Sequence, residues 1–538
     1  MGIYLNRGNE LFLQAVNSEI YVDKSELISY TNRILRTQQK YVCISRPRRF
    51  GKSMAVDMLV AYYSRGCDSK KLFQNLKIAQ NETFLRYLNQ YDVISLNMQE
   101  FMSQCQSMDD MLSLLQRSVL WELLGEYPDY RYFDQNNLVR TMQDIYQNTK
   151  RPFIVIIDEW DCIFREYSNK KEDQDRYLDF LRGLLKDKEY IYLAYMTGIL
   201  PIKKYGTHSA LNMFNEFSMT NPGILAEFVG FTEQEVEKLC QKYNRNLEEL
   251  KEWYDGYLFG KEEIYNPWSV INYISKGCIP QAYWVNTGKN EVLEDVLKVA
   301  TDDITERLYS LLQGERVIAR IDQNVVYRSL TEEPANIYSL LLGAGYLKTP
   351  KKELQGDGSY LCEVSIPNKE IATVYKNEIL SHLLQIGAIS RTTANKIAES
   401  LYANDDRKLQ GAIAEYMDKA ISFYDAGTES FYHGLMLGLI ALMDNRYKIK
   451  SNRESGDGRY DISMFPKEER NPGIIMELMW KKALSTEELD RLAEDALVQI
   501  EDMRYDSEMK EEGIKEILKF GIAFTGKKVC IKTGKQRD

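Results

Sequence analysis

The first 200 residues alternate short apolar runs with longer amphipathic stretches. Four of the apolar runs are rich in β-branched and aromatic residues: 41–45, 93–96, 153–157 and 191–196. Their length and continuous hydrophobicity predict strands buried on both faces of a sheet. Residues 54–63 and 108–124 have helical spacing instead. Such alternation predicts an α/β fold with a mostly parallel sheet covered by helices.

The middle of the chain has a different pattern. From about 230 to 290 it is helical and aromatic, and Thr232 followed by Glu235 predicts an N-cap with a capping box. Residues 295–425 are also mainly helical, except that 343–367 predicts a β-hairpin after a helix. Two interpretations of that hairpin stay open: a winged-helix module, or a helical connector that carries a hairpin.

The last 110 residues predict a compact α/β unit of their own. Its expected elements are a helix at 429–443, strands at 447–451, 459–465 and 474–479, a helix at 486–503, and strands at 518–524 and 529–532. At 538 residues the chain is too long for one hydrophobic core. We therefore expect four regions: a P-loop domain (1–215), a helical lid-like subdomain (216–295), a helical or winged-helix region (296–425) and a terminal α/β domain (426–538).

Composition narrows the class of protein. The net charge of −10 argues against a generally basic nucleic-acid binder but allows a local basic groove. The basic residues near the C-terminus fit either a solubilising tail or a binding surface: Lys527, Lys528, Lys532, Lys535 and Arg537. Eight scattered cysteines without CxxC spacing, and three histidines, predict reduced thiols rather than a zinc site. The start lacks a signal peptide and no apolar run reaches 18 residues, so we expect a cytoplasmic protein without a membrane span.

A phosphate-binding loop is predicted between the first strand and the following helix. The segment RPRRFGKS ends in Gly51, Lys52 and Ser53, the last three positions of a Walker A motif. Gly51 would let the backbone approach the phosphates, Lys52 would pair with them, and Ser53 would hold Mg²⁺. The motif departs at its first position, where Arg46 replaces glycine. We expect the whole loop to contact the nucleotide: Arg46, Pro47, Arg48, Arg49, Phe50, Gly51, Lys52 and Ser53.

A second half of the nucleotide site follows the strand at 153–157. Asp158 and Glu159 form a Walker B pattern, in which Asp158 would bind Mg²⁺ and Glu159 would orient or deprotonate water. Thr197 ends the strand at 191–196, where it fits either a γ-phosphate sensor or a helix cap. The competing structural interpretation is a strand end followed by two solvated acids. The presence of both motifs, in the expected order, favours binding of ATP with Mg²⁺ over that interpretation. A kinase shares the loop, but the paired acids fit hydrolysis better.

The ordered motifs give a family resemblance. The chain resembles the bacterial AAA-ATPase-like family whose members carry a C-terminal PD-(D/E)XK nuclease-like domain. In that family an arginine at the position of Arg46 is usual. The matching stretches run through nearly the whole chain: 21–24 (YVDK), 46–53 (RPRRFGKS), 156–161 (IIDEWD), 196–200 (MTGIL), 230–236 (GFTEQEV), 253–257 (WYDGY), 265–270 (YNPWSV) and 283–288 (YWVNTG).

The resemblance implies a second site in the terminal domain. It places metal-binding acids at Glu429, Asp461 and Glu477, with Asp461 and Glu477 catalytic, and a supporting helix motif at Gln499 and Tyr505. The family's lysine, two residues after the glutamate, is replaced here by Met479, which cannot donate to water or phosphate. Lys481 and Lys482 lie roughly 13 Å or more along an extended strand from Glu477.

Two functions of different class are therefore open. One is an ATPase coupled to a nuclease-like domain that binds, and in the stronger form cleaves, DNA or RNA. The other is a nucleotide-gated switch whose nuclease fold is catalytically inactive, which Met479 and the acidic balance favour. The aromatic clusters at 253–257 and 265–270 are expected to pack between helices rather than stack on bases. Oligomerisation fits either function, and no residue requires it.

Overall fold

The computed structural model describes residues 2–534 except 168–169, 200, 203–210, 285–292, 294–295, 297–301, 313, 323–335, 357–358, 376–390, 421–428, 441–442, 444–445, 456–457 and 469. Leu200, the end of YWVNTG, Gly456, Asp457, Lys535 and Arg537 thus lie outside the described residues. The chain forms two compact units: Met1–Val292 with Ile318–Ala372, and Leu293–Val317 with Thr373–Asp538. The four region boundaries predicted above stay a prediction.

A parallel five-stranded sheet organises the first unit. Its strands are β1 (Tyr41–Ser45), β2 (Asp92–Asn97), β3 (Phe153–Asp158), β4 (Ile191–Gly198) and β5 (Asn215–Phe217). The spatial order is β2-β3-β4-β1-β5. The four predicted strands are confirmed. β5 is an addition that its short, half-exposed sequence did not reveal. β1 and β3 are buried along their whole length, as strands covered by helices on both faces must be.

Among the described residues before β4, ten helices accompany the sheet. They are α1 (Glu10–Val16), α2 (Glu26–Ile34), α3 (Lys52–Tyr63), α4 (Lys70–Phe73), α5 (Phe84–Tyr87), α6 (Met98–Ser103), α7 (Met108–Glu126), α8 (Leu138–Thr149), α9 (Cys162–Glu166) and α10 (Lys171–Leu185). Two short 3-10 turns add Lys77–Gln80 and Gly223–Leu225. The first residue of α3 is Lys52, so the phosphate loop runs directly into a helix N-terminus.

The region from 231 to 275 contains strands as well as the predicted helices. A small sheet, ordered β6-β8-β7, is made of β6 (Phe231–Thr232), β7 (Tyr257–Phe259) and β8 (Glu262–Tyr265). It is accompanied by α11 (Glu233–Tyr243), α12 (Leu247–Tyr254) and α13 (Pro267–Ser275). The capping box of Thr232 and Glu235 is confirmed. Tyr254, Tyr257 and Tyr265 are buried, which agrees with the predicted packing role of these aromatic clusters.

After α14 (Asp302–Leu312), the predicted hairpin is present. The strands β10 (Lys348–Leu354) and β11 (Tyr360–Ser365) pair antiparallel, and β9 (Val317–Ile321) joins them in the order β10-β11-β9. The helix α15 (Asn336–Gly343) precedes the hairpin. Strand, helix and hairpin follow one another as in a winged helix, but α15 is buried along most of its length. Both interpretations of the hairpin, a winged-helix module and a helical connector that carries a hairpin, stay predictions.

The second unit ends in a five-stranded sheet of order β12-β13-β14-β15-β16. Its strands are β12 (Tyr447–Ser455), β13 (Gly458–Pro466), β14 (Gly473–Trp480), β15 (Ile517–Thr525) and β16 (Lys528–Thr533). The described helices of the unit are α14, given above, and α16 (Arg391–Tyr402), α17 (Asp406–Ala420), α18 (Glu429–Ile440), α19 (Thr486–Asp502) and α20 (Ser507–Glu511). Only β14 and β15 pair parallel, with α19 as the crossover between them. The predicted α/β unit is confirmed element by element.

No helix in the described ranges is both long and apolar enough to cross a bilayer.

Candidate functional sites

The phosphate loop connects the buried strand β1 to α3. Gly51 caps α3 with φ +91°, and an added Cβ would meet nothing within 4 Å. Glycine is therefore required here for its backbone conformation rather than for space. Arg49, at φ 73°, also adopts the left-handed conformation. These turns place the loop's backbone N–H groups at a helix N-terminus, where anions are stabilised.

Lys52 is buried inside the curve of the loop. Its ammonium Nζ donates to the carbonyl oxygens of Arg46 at 3.0 Å and Pro47 at 2.8 Å. Burial lowers the Lys52 pKa, while the nearby Glu159 and Asp158 carboxylates act in the opposite direction. The positive charge of Lys52, in the Walker A loop, thus interacts with the two carboxylates of the Walker B pattern.

A hydroxyl and a carboxylate meet at the carboxyl edge of the sheet. Ser53 Oγ donates to Asp158 Oδ2 at 2.6 Å, and Thr197 Oγ1 donates to Asp158 Oδ1. The strand order explains this contact, because β4 lies between β3 and β1 and brings Thr197 between the loop and Asp158. Serine and aspartate oxygens are ligands that Mg²⁺ prefers, so the donor set at Ser53 and Asp158 fits that ion.

Glu159 leaves the strand in an unusual backbone conformation, with φ 55°. Its carboxylate accepts a hydrogen bond from Arg165 Nη2 at 2.6 Å, and Arg165 is almost fully buried on α9. Burial alone would raise the Glu159 pKa, but the charges of Lys52, Arg165 and Arg48 together lower it. The acid is therefore ionised and held in one orientation beside the loop.

Arg46 turns away from the loop's interior. Its Nη1 donates to the carbonyl oxygens of Ser45 at 3.0 Å and Phe217 at 2.7 Å, which ties β1 to β5. The guanidinium lies 4.5 Å from the ring centre of Phe259, and burial lowers its pKa to about 9. Arg46 thus stabilises the start of the loop through side-chain contacts that a glycine at this position could not make.

The other loop residues contact the region that follows β5. Arg49 stacks over Trp268 at 4.6 Å, and Phe50 packs edge-on against Tyr257 at a centroid distance of 5.0 Å. An added Cβ on Gly345 would lie 2.7 Å from Pro47. Arg48 is half-exposed and contributes its charge to Glu159. The loop is thus held by the small sheet and by the turn before β10.

An apolar cavity opens beside the same loop. It is lined by three segments that the sequence separates widely: the start of α3, the stretch around Tyr21, and the residues around Phe231 and α13. The principal lining residues are Phe12, Ile20, Tyr21, Val22, Gly51, Met54, Phe228, Phe231, Pro267 and Ile271. Three of the motifs noted in the sequence (21–24, 230–236 and 265–270) contribute to this wall. The cavity thus places an apolar surface directly beside Gly51.

The terminal domain brings two of its three predicted acids together. Asp461 on β13 lies beside Glu477 on β14, because Ile462 pairs with Met476 in the antiparallel register. The Asp461 backbone N–H donates to Glu477 Oε2 at 3.3 Å, and Asp461 Oδ2 accepts from the Leu478 N–H at 2.8 Å. His433 Nε2 lies 3.1 Å from the Asp461 carbonyl oxygen. Glu429 is the first residue of α18, and its side chain lies outside what the structure describes.

The helix motif predicted around Gln499 supports the glutamate. Gln499 Nε2 donates to Glu477 Oε1 at 2.6 Å and to the Tyr505 hydroxyl at 3.2 Å. Glu477 is only 5% exposed, so this contact fixes a nearly buried carboxylate. Two adjacent carboxylates suit a Mg²⁺ ion that keeps several waters. Among the described residues no cluster of three or more Asp, Glu, His or Cys side chains could hold a metal.

Met479 occupies the position of the family's lysine. It packs against an apolar cluster formed by Leu489, Leu492, Ala493 and Ala523. The strand ends at Trp480, and Lys481 and Lys482 are exposed beyond it. The described side chains therefore provide no lysine where the motif expects one, and the space is filled by hydrocarbon.

Arg165 is the residue that sequence analysis missed. It lies six positions after Glu159, and the motif gives no indication that a buried arginine on the next helix would pair with that acid. A signal was available in the sequence: Arg165 directly follows the apolar residues Cys162, Ile163 and Phe164, and a charge next to such a run needs a partner if it is buried.

Comparisons with known proteins agree with this geometry. Residues 13–207 match the family model described as a predicted AAA-ATPase, and 427–534 match the PD-(D/E)XK nuclease superfamily. The chain therefore combines an AAA-ATPase-like domain with a C-terminal domain of the PD-(D/E)XK nuclease superfamily. Together these matches support a nucleotide-binding protein of the ATPase class with a nuclease-like domain.

Individual proteins are also similar to this chain. An "Uncharacterized protein in vnfD 5'region" of Azotobacter chroococcum is 23% identical over 398 residues, which is 72% of each chain. The ORC2 protein of Aeropyrum pernix, solved with ADPNP and ADP, aligns with 69% of this chain and 98% of its own at 9% identity. The TM-score of this alignment is 0.27.

Proposed function

We propose that this chain binds ATP with Mg²⁺ at Lys52, Ser53, Asp158 and Glu159, hydrolyses it, and uses the terminal domain to bind nucleic acid. The observation that carries the first part is the meeting of Ser53 Oγ with Asp158 Oδ2 at 2.6 Å beside a glycine-capped loop. The family match of 13–207 supports it.

Each residue has a role that its contacts suggest. Lys52, now 2.8 Å from a loop carbonyl, is within reach of phosphate oxygens bound in the same loop. Ser53 and Asp158 would hold the metal, which when bound shields the phosphate charge. Glu159 is ionised and fixed by Arg165, so it can orient a water or accept its proton. Thr197 holds Asp158 in register, and the apolar cavity would seat the base.

For the terminal domain, a specific observation favours binding over cleavage. Asp461 and Glu477 converge, but Met479 places a thioether in an apolar cluster where the motif has an ammonium group. We therefore favour a nuclease-like domain that recognises nucleic acid and cleaves it poorly or not at all. On this proposal the protein uses ATP to control its binding of nucleic acid and does not act as a nuclease.

The test is ATP turnover by the purified full chain, alone and with single- or double-stranded DNA or RNA. Lys52→Ala should abolish turnover, since it removes the cation in the loop, whereas Lys71→Ala, on the exposed α4, should leave it unchanged. Tight ATP binding without turnover under every condition would favour a switch. Equal turnover in Lys52→Ala would refute the assigned site.

Cleavage is tested separately, with labelled DNA and RNA and Mg²⁺ or Mn²⁺. Metal-dependent cleavage that disappears in Asp461→Ala would show that the domain is an active nuclease. Binding without cleavage is the outcome we expect.

A further inference from the structure

The end of the terminal sheet next to the carboxylate pair carries four lysines. Lys481 and Lys482 follow the last residue of β14, Lys527 lies in the turn between β15 and β16, and Lys528 is the first residue of β16. The two pairs are neighbours, because Trp480 pairs with Phe524 and the Lys481 N–H donates to the Phe524 carbonyl at 3.3 Å. The Leu484 N–H also donates to Thr525 Oγ1 at 3.1 Å. We call these four residues the lysine end.

Four other lysines of the domain differ from the lysine end in having carboxylate partners. Lys450, Lys510, Lys519 and Lys532 each form an ion pair with at least one carboxylate. Within the described part of the domain, the side chains at the lysine end form no ion pair, although three of them are exposed and Lys527 is half-buried. Four like charges close together repel one another and raise the local positive potential. In a chain of net charge −10 this concentration is a local exception.

The position of the lysine end relates it to the acidic pair. Glu477 lies three residues before Trp480 on β14, so the lysines begin about 13 Å further along the sheet. The helix α18 spans the same interval, since the Tyr432 hydroxyl donates to the Gly526 carbonyl and His433 contacts the Asp461 carbonyl. Phosphates rise about 3.4 Å per nucleotide along one strand of B-form DNA. A strand with a phosphate at the acidic pair would therefore present others to the lysines about four nucleotides away.

We propose that the lysine end binds the phosphate backbone of a nucleic acid strand that passes the Asp461–Glu477 pair. This rests on the proposed function, because it assigns the surface through which the terminal domain would hold that partner. The lysines supply binding charge at a distance from the carboxylates, and Met479 supplies none between them. The surface binds by charge rather than by base sequence.

The experiment measures binding of the full chain to a fluorescent 30-nucleotide DNA strand and to its duplex, across a range of NaCl concentrations and without divalent metal. The test variant is Lys481→Gln with Lys482→Gln. The matched control is Lys448→Gln with Lys515→Gln, which removes the same charge from exposed lysines at the opposite end of the sheet. A second test variant is Lys527→Gln with Lys528→Gln.

Each lost phosphate contact lowers the slope of log K against log salt by about 0.9 on duplex and about 0.7 on single strands. We expect each test pair to reduce the slope by about one to two and to weaken binding about tenfold at moderate salt. The control pair should keep the slope of the unmodified chain. Thermal unfolding of all variants should agree, because the replaced side chains are at the surface.

The outcomes separate this inference from the proposed function. Binding with an unchanged slope in both test pairs would overturn the lysine end but leave nucleic-acid binding intact. An equal loss in test and control pairs would show that only net charge matters, and would also overturn it. No binding of either DNA form by the unmodified chain would overturn the surface together with the nucleic-acid part of the proposal, while ATP turnover stays an independent test.

Discussion

The phosphate loop and the carboxylate pair of the terminal domain differ in how completely their charged groups are partnered. In the first, Ser53, Asp158, Glu159 and Lys52 lie within a single network of contacts, and each ionised group has a partner of opposite charge or a hydroxyl. In the second, Asp461 and Glu477 are held by backbone amides and Gln499, but the cation of the motif is replaced by Met479. A fold can therefore preserve the geometry of a site without keeping all of its chemistry.

The largest expected effect distinguishes Glu159, beside the phosphate loop, from Glu477, in the terminal domain. Glu159→Gln should lower ATP turnover by about 10²–10⁴-fold with little change in KM, because it removes a group that acts on water rather than one that binds nucleotide. Glu477→Gln should leave ATP turnover unchanged. Steady-state kinetics on the two variants would check this. A similar loss in both would mean that the carboxylate pair contributes to hydrolysis.

The second prediction concerns the missing cation. Met479→Lys should destabilise the terminal domain by roughly 2–4 kcal/mol, since it forces an ammonium group among Leu489, Leu492 and Ala523. Met479→Leu, which keeps the volume and polarity, should cost less than about 1.5 kcal/mol. Urea unfolding would measure both. A stable Met479→Lys variant that cleaves DNA would show that the site lacks only its lysine.

The third prediction uses pH to contrast the two units. Burial raises the pKa of Glu370 from 4.5 to about 7, although Ser269 Oγ at 2.8 Å and the Trp284 N–H at 2.9 Å donate to it. The folded state then keeps this proton to higher pH than the unfolded state. Its contribution to stability is present below about 4.5 and is lost as pH rises through about 7, by roughly 3 kcal/mol.

Asp506 in the second unit should behave in the opposite way. Burial would raise its pKa, but Lys519 and Lys510 lower it overall, so its contribution is present above 3.8 and is lost at lower pH. Unfolding of Glu370→Gln and Asp506→Asn across this range would distinguish the two signs. An unchanged pH dependence in Glu370→Gln would show that this acid does not titrate in the window.

The smallest expected effect is the same in both units. Thr232 and Ser485 each close a capping box, with Glu235 and Glu488 respectively. Thr232→Ala and Ser485→Ala should each cost about 1 kcal/mol, because each leaves a helix N–H without its acceptor. Denaturant unfolding that detects each unit would test this. A much larger loss in one unit would show that its cap also supports tertiary contacts.

Local patterns in the sequence determined much of this protein. The apolar runs located four strands of the first sheet, and RPRRFGKS and IIDEWD located the loop and its acids, because these features depend on residues close together in the chain. The terminal elements were predicted to within a few residues for the same reason. By contrast, β5 and the small sheet around Tyr257 were missed, since short strands depend on pairing partners that the sequence does not identify.

Only the tertiary structure decided how the residues of each site meet. The order β3-β4-β1 brought Thr197 and Ser53 to the same carboxylate, and the buried Arg165 on α9 fixed Glu159. The packing of Met479, and the nearness of Lys481 to the turn at Lys527, depend on strand register. Residue types and their spacing show which chemical groups lie close together along the chain. Long-range pairing and burial decide which groups face one another and which charges are compensated, and these depend on the whole fold.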